Sequence, residues 1–359
     1  MRILIVTVHK TENCGSFLQA YALAKTLEQQ GHRVFLLHQE NRNTGHALKP
    51  HIRESFKFCI KLKFLRASYI WRRYWRYERA QKIFPELGEN DAAFADIDCV
   101  IVGSDTVWNF SAPYLARNKD IFLGRRFAGK RRISYAVSIA NTPYSVFRGD
   151  PAIREGLRGF SAISVRDEYS RAIVEELTGR EATIACDPTM LVERSVLDAL
   201  AKPVAEHGYI LLYLFRKMSR TLKRRILELK EASGKKVISF GEYRGWCDKN
   251  LVYDPIDFVS YVKNADFVVT DTFHGTIFSI LYEHPFADYG IKKQKVVELL
   301  KAFELSATLK AEDDSLLDAL RQPPDFTAAR AKIVEDRARS LLFLRTALGE
   351  RKDVDEPQT

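Results

Sequence analysis

Short apolar runs alternate with longer amphipathic stretches along most of this chain. RILIVTV (2–8) predicts a buried strand, HKTENCGS (9–16) a polar loop, and FLQAYALAKTLEQQG (17–31) a helix. That helix is apolar at Leu18, Tyr21, Ala22 and Leu27 and stops at Gly31. HRVFLLHQ (32–39) predicts a second strand, which makes a right-handed βαβ unit with parallel strands. CVIVGSD (99–105), RRISYAVSIA (131–140), AISVRD (162–167) and EATIACDP (181–188) continue the strands, with a helix at 168–179. A second series follows a boundary near 190–207. It has strands at 209–215, 235–240 and 266–271, and helices at 219–233, 256–265, GTIFSILYEH and 292–303. The stretch 326–348 is expected to return as a long helix along the first domain, and DVDEPQT to form a polar tail.

Two such series predict an α/β fold of two doubly wound, Rossmann-like domains facing a cleft. The first covers 1–195 with a basic helical insertion at about 48–84, and the second covers 205–325. In such sheets ligands bind beyond the carboxyl ends of the strands. Four polar clusters fall there: HKTENCGS, GSDTVWN, SVRDEYS and TDTFHG.

The chain has 359 residues, 46% of them hydrophobic, enough for two cores. No run of eighteen uncharged apolar residues predicts a membrane span, and the first residues lack signal-peptide features. Five scattered cysteines fit neither a disulfide framework nor a metal site, and a reducing cytoplasm is the expected location. The net charge of +10 is local. Residues 49–82 hold eleven Lys or Arg against Glu54 and Glu78.

Each cluster has a functional and a structural reading. In TDTFHG, Gly275 and Thr276 open a helix whose free N–H groups favour an anion, with His274 beside it. Alternatively Asp271 or Thr272 caps the helix and His274 makes one structural hydrogen bond. Arg166 at a strand end suits a carboxylate or phosphate, or forms an ion pair. GSDTVWN offers Ser104, Asp105 and Asn109 for a ligand, or a turn with Trp108 in the core. NCGS, with Gly15 and Ser16, resembles a short anion-binding loop, but no dinucleotide fingerprint, P-loop or metal motif is present.

NCGSFLQAYAL, VGSDTVWN, RRISYAVS, SVRD, CDPTML and DFVSYVKNADFVVTDTFHGTIFSILYEHPF occur in that order. Together they resemble the polysaccharide pyruvyl transferase family over about residues 1–305. The resemblance implies a fold similar to type-B glycosyltransferases. It also implies transfer of pyruvate from phosphoenolpyruvate, as donor substrate and with no further cofactor, to a glycan or lipid-linked saccharide. The family's histidine falls on His274 and its S-x-R arginine on Arg166. Thr272 stands where some members carry arginine, and SIAN (138–141) where many have a Phe-Gly pair. The basic group expected after the His-Gly helix is Lys292, Lys293 or Lys295.

The chemistry needs an acid and a base, but neither metal nor nicotinamide. Imidazole exchanges protons near neutral pH, which suits His274 as the acid. Asp105 or Asp271 would take the sugar proton, or Asp271 would only orient His274. The rival readings are a nucleotide-sugar glycosyltransferase of the same architecture and a non-catalytic glycan- or membrane-associated protein. The basic segment interleaves aromatics with Arg (YIWRRYWRYER, 69–79). It packs as an ordinary helix, or rests Arg72, Arg73 and Arg76 on an anionic membrane face; nucleic acid is the weaker partner.

Overall fold

The computed structural model describes residues 1–38, 52, 55 and 64–350. The first sheet is seven-stranded: β1 (Arg2–Val6), β2 (Arg33–Leu37), β3 (Glu86–Leu87), β4 (Cys99–Asp105), β5 (Arg131–Val137), β6 (Ala162–Val165) and β7 (Thr183–Ile184). All pairs are parallel, in the order β3-β2-β1-β4-β5-β6-β7. The second is five-stranded and also parallel: β8 (Tyr209–Tyr213), β9 (Lys236–Ser239), β10 (Lys249–Asn250), β11 (Phe267–Thr270) and β12 (Phe286–Asp288), in the order β10-β9-β8-β11-β12. Parallel strands are covered on both faces, which is why each reads as a continuous apolar run rather than an alternation.

The longer helices are α1 (Cys14–Gln29), α2 (Phe64–Gln81), α3 (Glu168–Thr178), α4 (Arg220–Ser233), α5 (Pro255–Lys263), α6 (Phe273–Leu281), α7 (Gln294–Ala302) and α8 (Thr327–Leu348). Their starts follow side-chain chemistry. Asp167 accepts from Ser170 N to cap α3, and Asp254 and Asp257 form a reciprocal capping box at α5. Asn13 caps α1 by accepting from Gly15 N, so the helix begins at Cys14, three residues before the expected start at 17. Gly15 and Ser16 therefore belong to a helix and not to a loop, and the Gly15 N–H is already used.

Several strands are shorter than their apolar runs. β1 stops at Val6, β5 at Val137 and β8 at Tyr213. Beyond those points side-chain bonds replace the ladder. Thr7 Oγ1 donates to Ser104 O, and Ala140 N donates to Ser138 Oγ. These turns begin the walls of the cleft.

The chain passes to the second sheet between Ile184 and Tyr209. α8 then returns to the first domain. Cys186 N donates to Ser340 Oγ, and Arg337 donates to the carbonyls of Met190 and Val192. Arg131 donates to Leu348 O at its far end. One apolar cluster crosses between the domains. It includes Phe17 and Tyr77 from the first and Tyr213, Phe240, Tyr253 and Phe278 from the second.

α2 lies in that crossing. Tyr77 is fully buried, touching Cys14 Sγ at 2.9 Å and donating to Glu12 O. Arg73 pairs with Glu12 at 2.7 Å, donates to Gly241 O and lies over the rings of Tyr69 and Tyr253. Arg76 bonds Asp254 and Asp257 at the start of α5. The expectation that Arg72, Arg73 and Arg76 form one outward basic face is corrected: Arg73 turns inward to Glu12 of its own domain and Gly241 O of the other, and Arg76 pairs across the gap with Asp254 and Asp257. Arg72 and Trp75 remain on the outside. Most of the expected insertion before Phe64, and the polar tail, lie outside the described residues.

Candidate active site

The strand order reverses between β1 and β4 in one sheet and between β8 and β11 in the other. Both switch points open into one cleft of about 650 Å³. The first domain lines it with residues including Thr11, Glu12, Asn13, Ser16 and Asp105. The second supplies Phe215, Thr272, Phe273, His274, Lys293 and Lys295.

Under the cleft lies a chain of buried charges. Arg166, just after β6, bonds Asp187 through Nη1 at 2.8 Å and Asp105 through Nη2 at 3.4 Å. Its guanidinium sits 4.7 Å from the centre of the Phe273 ring, and Lys295 Nζ lies 5.2 Å from the same ring. Asp187 also accepts from Thr189 N and Thr189 Oγ1. Asp105 accepts from Ser16 Oγ at 2.7 Å and has φ +71, a left-handed backbone that an L residue adopts only under surrounding support. Ser138 N donates to its carbonyl.

His274 belongs to the second domain but is held by the first. Its Nε2 stands 3.4 Å from Asp187 Oδ2, a close contact without hydrogen-bond alignment. Its ring packs against Gly15, where an added Cβ would fall inside the imidazole. Only a glycine permits this approach.

The electrostatics follow from this packing. Burial pushes the Asp187 carboxyl up, but His274 and Arg166 overcome it and hold it well below the usual range. For Asp105 burial is likewise outweighed, by Arg166, His274 and Lys295, and its carboxyl also stays low. The protein atoms around Lys295, which stands at the exposed edge of the cleft, and then Arg166, lower it below the ordinary lysine range.

The expected residues divide into three groups. His274, Asp105, Ser16, Thr272, Lys293 and Lys295 meet at the cleft, and Gly15 touches His274. Arg166 lies beneath the lining, its charge answered by two aspartates. The remaining residues serve structure. Ser104 is buried in β4 and accepts from Thr7, and Asn109 accepts from Thr142. The Gly275 N–H is consumed by the Thr272 cap, and Thr276 is buried against Thr272 O and Asp288. Lys292 is the exception: it is exposed and is not among the lining residues of the cleft. At the start of α6 the Phe273 and His274 N–H groups have no acceptor among the described residues.

Asp271 is placed differently from either role expected of it. It accepts from Phe215 N at 3.0 Å and from Lys293 Nζ at 3.2 Å, and makes no contact with His274. The Thr272 cap turns the chain between them, so neighbours in sequence point apart. The carboxylate beside His274 is Asp187, which the sequence reading did not single out. Its only signal was its place in CDPTML, at a strand end where Asp precedes Pro as a helix cap.

Two parallel-sheet Rossmann-like domains across a cleft define the architecture of type-B glycosyltransferases. Solved structures agree in fold. A putative UDP-N-acetylglucosamine 2-epimerase from Listeria monocytogenes aligns at TM-score 0.61 and 12% identity, covering 98% of this chain and 97% of the other. The UDP-GlcNAc 2-epimerase of Methanocaldococcus jannaschii gives 0.56 at 11% identity, covering 97% and 100%. That of Neisseria meningitidis, bound to UDP-GlcNAc, gives 0.53 at 12% identity, covering 98% and 100%. No curated protein matches the chain. The chain belongs to the polysaccharide pyruvyl transferase family, whose model matches residues 13–287.

Proposed function

We propose that the protein transfers the pyruvyl group of phosphoenolpyruvate to two hydroxyls of one sugar, in a polysaccharide or its lipid-linked precursor, releasing phosphate. The observation that carries the reading is His274, seated against Gly15 and Asp187 of the opposite domain at a cleft that also holds Lys293 and Lys295. The donor carries a carboxylate and a phosphate. Lys295, Lys293 and the two N–H groups opening α6 are the groups available to hold them.

His274 gives a proton to the methylene carbon of the donor, and positive charge develops at C2. Asp187 lies 3.4 Å from Nε2 and Gly15 packs against the ring, so both help to set the position of the imidazole. A sugar hydroxyl attacks C2 and loses its proton to Asp105, whose carboxylate is kept ionised by Arg166. A hydroxyl attacking an oxocarbenium ion is strongly acidic, so a weak base suffices. The C2–O bond to phosphate then breaks, and a second hydroxyl closes the ketal. One proton enters the methyl group from His274; Asp105 passes the first hydroxyl proton to the departing phosphate, and the second hydroxyl proton restores His274.

Thermal unfolding with each donor tests this directly. A ligand at a hundred times its Kd stabilises the folded state by about 2.7 kcal/mol. Phosphoenolpyruvate is expected to raise the midpoint and UDP-GlcNAc to leave it unchanged. The reverse result favours nucleotide-sugar transfer. Phosphate release only in the presence of acceptor separates a working enzyme from a non-catalytic relative.

A further inference from the structure

Phosphoenolpyruvate is much smaller than a cleft of about 650 Å³, and the charged groups assigned to it leave part of the lining unexplained. That part has an aromatic wall. Phe215, two residues past β8, is 43% exposed although most large apolar side chains here are buried. Its ring is fixed rather than loose. Tyr213 meets it edge-on at 5.1 Å, and an added Cβ on Gly241 would lie 3.1 Å from its Cζ. Its amide is tied to Asp271 Oδ1, the same carboxylate that holds Lys293. An immobilised ring with an open face costs little entropy to stack upon.

The loop after β1 faces the same space with polar groups. Glu12 and Asn13 line the cleft, with Glu12 oriented by Arg73 at 2.7 Å and Asn13 fixed by the α1 cap. Tyr114, on the first domain, adds a second aromatic to the lining. A stacking face opposite a carboxylate and an amide suits a ring with one apolar face and a rim of hydroxyls.

We infer that Phe215, Glu12 and Asn13 form the acceptor subsite and hold a single pyranose ring, its apolar face on Phe215 and its hydroxyls on Glu12 and Asn13. This rests on the pyruvyl-transfer reading and names the substrate class for that site. Asp271 thereby becomes a positioning residue: it ties the sugar platform to Lys293 and keeps acceptor and donor in register.

The test uses methyl glucoside, galactoside, mannoside and N-acetylmannosaminide as probes in saturation-transfer NMR, with uridine as the competing ring. Wild type is expected to saturate the ring protons of at least one glycoside. Phe215→Ala is expected to weaken that binding about tenfold, the scale of one aromatic contact. Phe215→Tyr and Phe215→Trp restore it, and all variants keep the wild-type response to phosphoenolpyruvate in thermal unfolding. If Phe215→Ala binds glycosides like wild type, or if uridine alone is saturated, the subsite is wrong. If glycoside binding depends on Phe215 while phosphoenolpyruvate neither stabilises the protein nor releases phosphate, the subsite stands and the donor reading falls.

Discussion

Two sets of arginine–carboxylate pairs cross or approach the gap between the domains, and they do different work. Under the cleft, Arg166 is nearly sealed between Asp105 and Asp187, with Phe273 over it. Along α2, Arg73 and Arg76 join Glu12, Asp254 and Asp257, and the Arg76 side chain is still 38% exposed. Burying a charge among opposite charges fixes the state and direction of each partner, which chemistry needs. A half-exposed pair is screened and adjustable, which suits a strap between domains. The first set therefore prepares His274, and the second holds the halves in register.

His274→Ala breaks the first set at its working end and carries the largest expected effect. Turnover falls about 10²–10⁴-fold, the scale of losing a general acid, while the folded structure remains. Steady-state rates with a circular dichroism control decide it, and turnover near wild type would remove His274 from the chemistry. Gly15→Ala attacks the same contact from the opposite domain. The new methyl must displace the imidazole, and a misplacement of about 1 Å costs about 10²-fold in rate. Loss in kcat together with a smaller loss of stability, about 1–3 kcal/mol for overpacking a buried contact, is the expected pattern.

Stability separates the sets further. Arg166→Gln leaves two buried aspartates without their cation and is expected to cost about 3–5 kcal/mol. Arg76→Gln, where the arginine is partly exposed but its two aspartates are not, is expected to cost less, about 1–3 kcal/mol. Denaturant titration of both variants measures the difference, and equal losses would erase the distinction between core and strap.

The pH dependence has opposite signs in the two places. Asp105 and Asp187 are held low when folded, so their contribution is present above the ordinary carboxylate range and is lost as pH falls below it. Burial and then Asp254 push the Asp257 carboxyl up to about 6, against which Arg76 pulls down. The folded state then binds the extra proton between the ordinary value, about 4, and about 6, so this group's contribution declines as pH rises through that window. Asp288, raised to about 6 by burial, adds the same slope. Asp257→Asn is expected to flatten the decline between about pH 4 and 6 without altering the acid limb. An unchanged profile would mean that Asp257 is ionised like an exposed carboxylate.

The elements were legible where one residue suffices to make them. Continuous apolar runs gave the parallel strands, and Asp167 announces α3 without reference to anything distant. The His274 helix start was legible for the same reason. Partnerships across the domains were not. Asp187 reaches His274 only after both sheets have formed, while Asp271, its near neighbour in sequence, is turned towards Phe215 and Lys293. Arg73 and Arg76 looked available because local charge reveals a cation but not the remote carboxylates that answer it. Arg166 was expected to hold a carboxylate or phosphate of the donor; the structure pairs it instead with two carboxylates. Those carboxylates are the protein's own.

The most direct measurement of the central claim is the mass of the glycoside product formed in deuterated water from phosphoenolpyruvate. The account predicts an acceptor heavier by one pyruvate less one water, one phosphate released, and a single deuterium in the ketal methyl group, with all three lost in His274→Ala. A product that gains a sugar from UDP-GlcNAc, or a pyruvylated product whose methyl group carries no solvent deuterium, would contradict it.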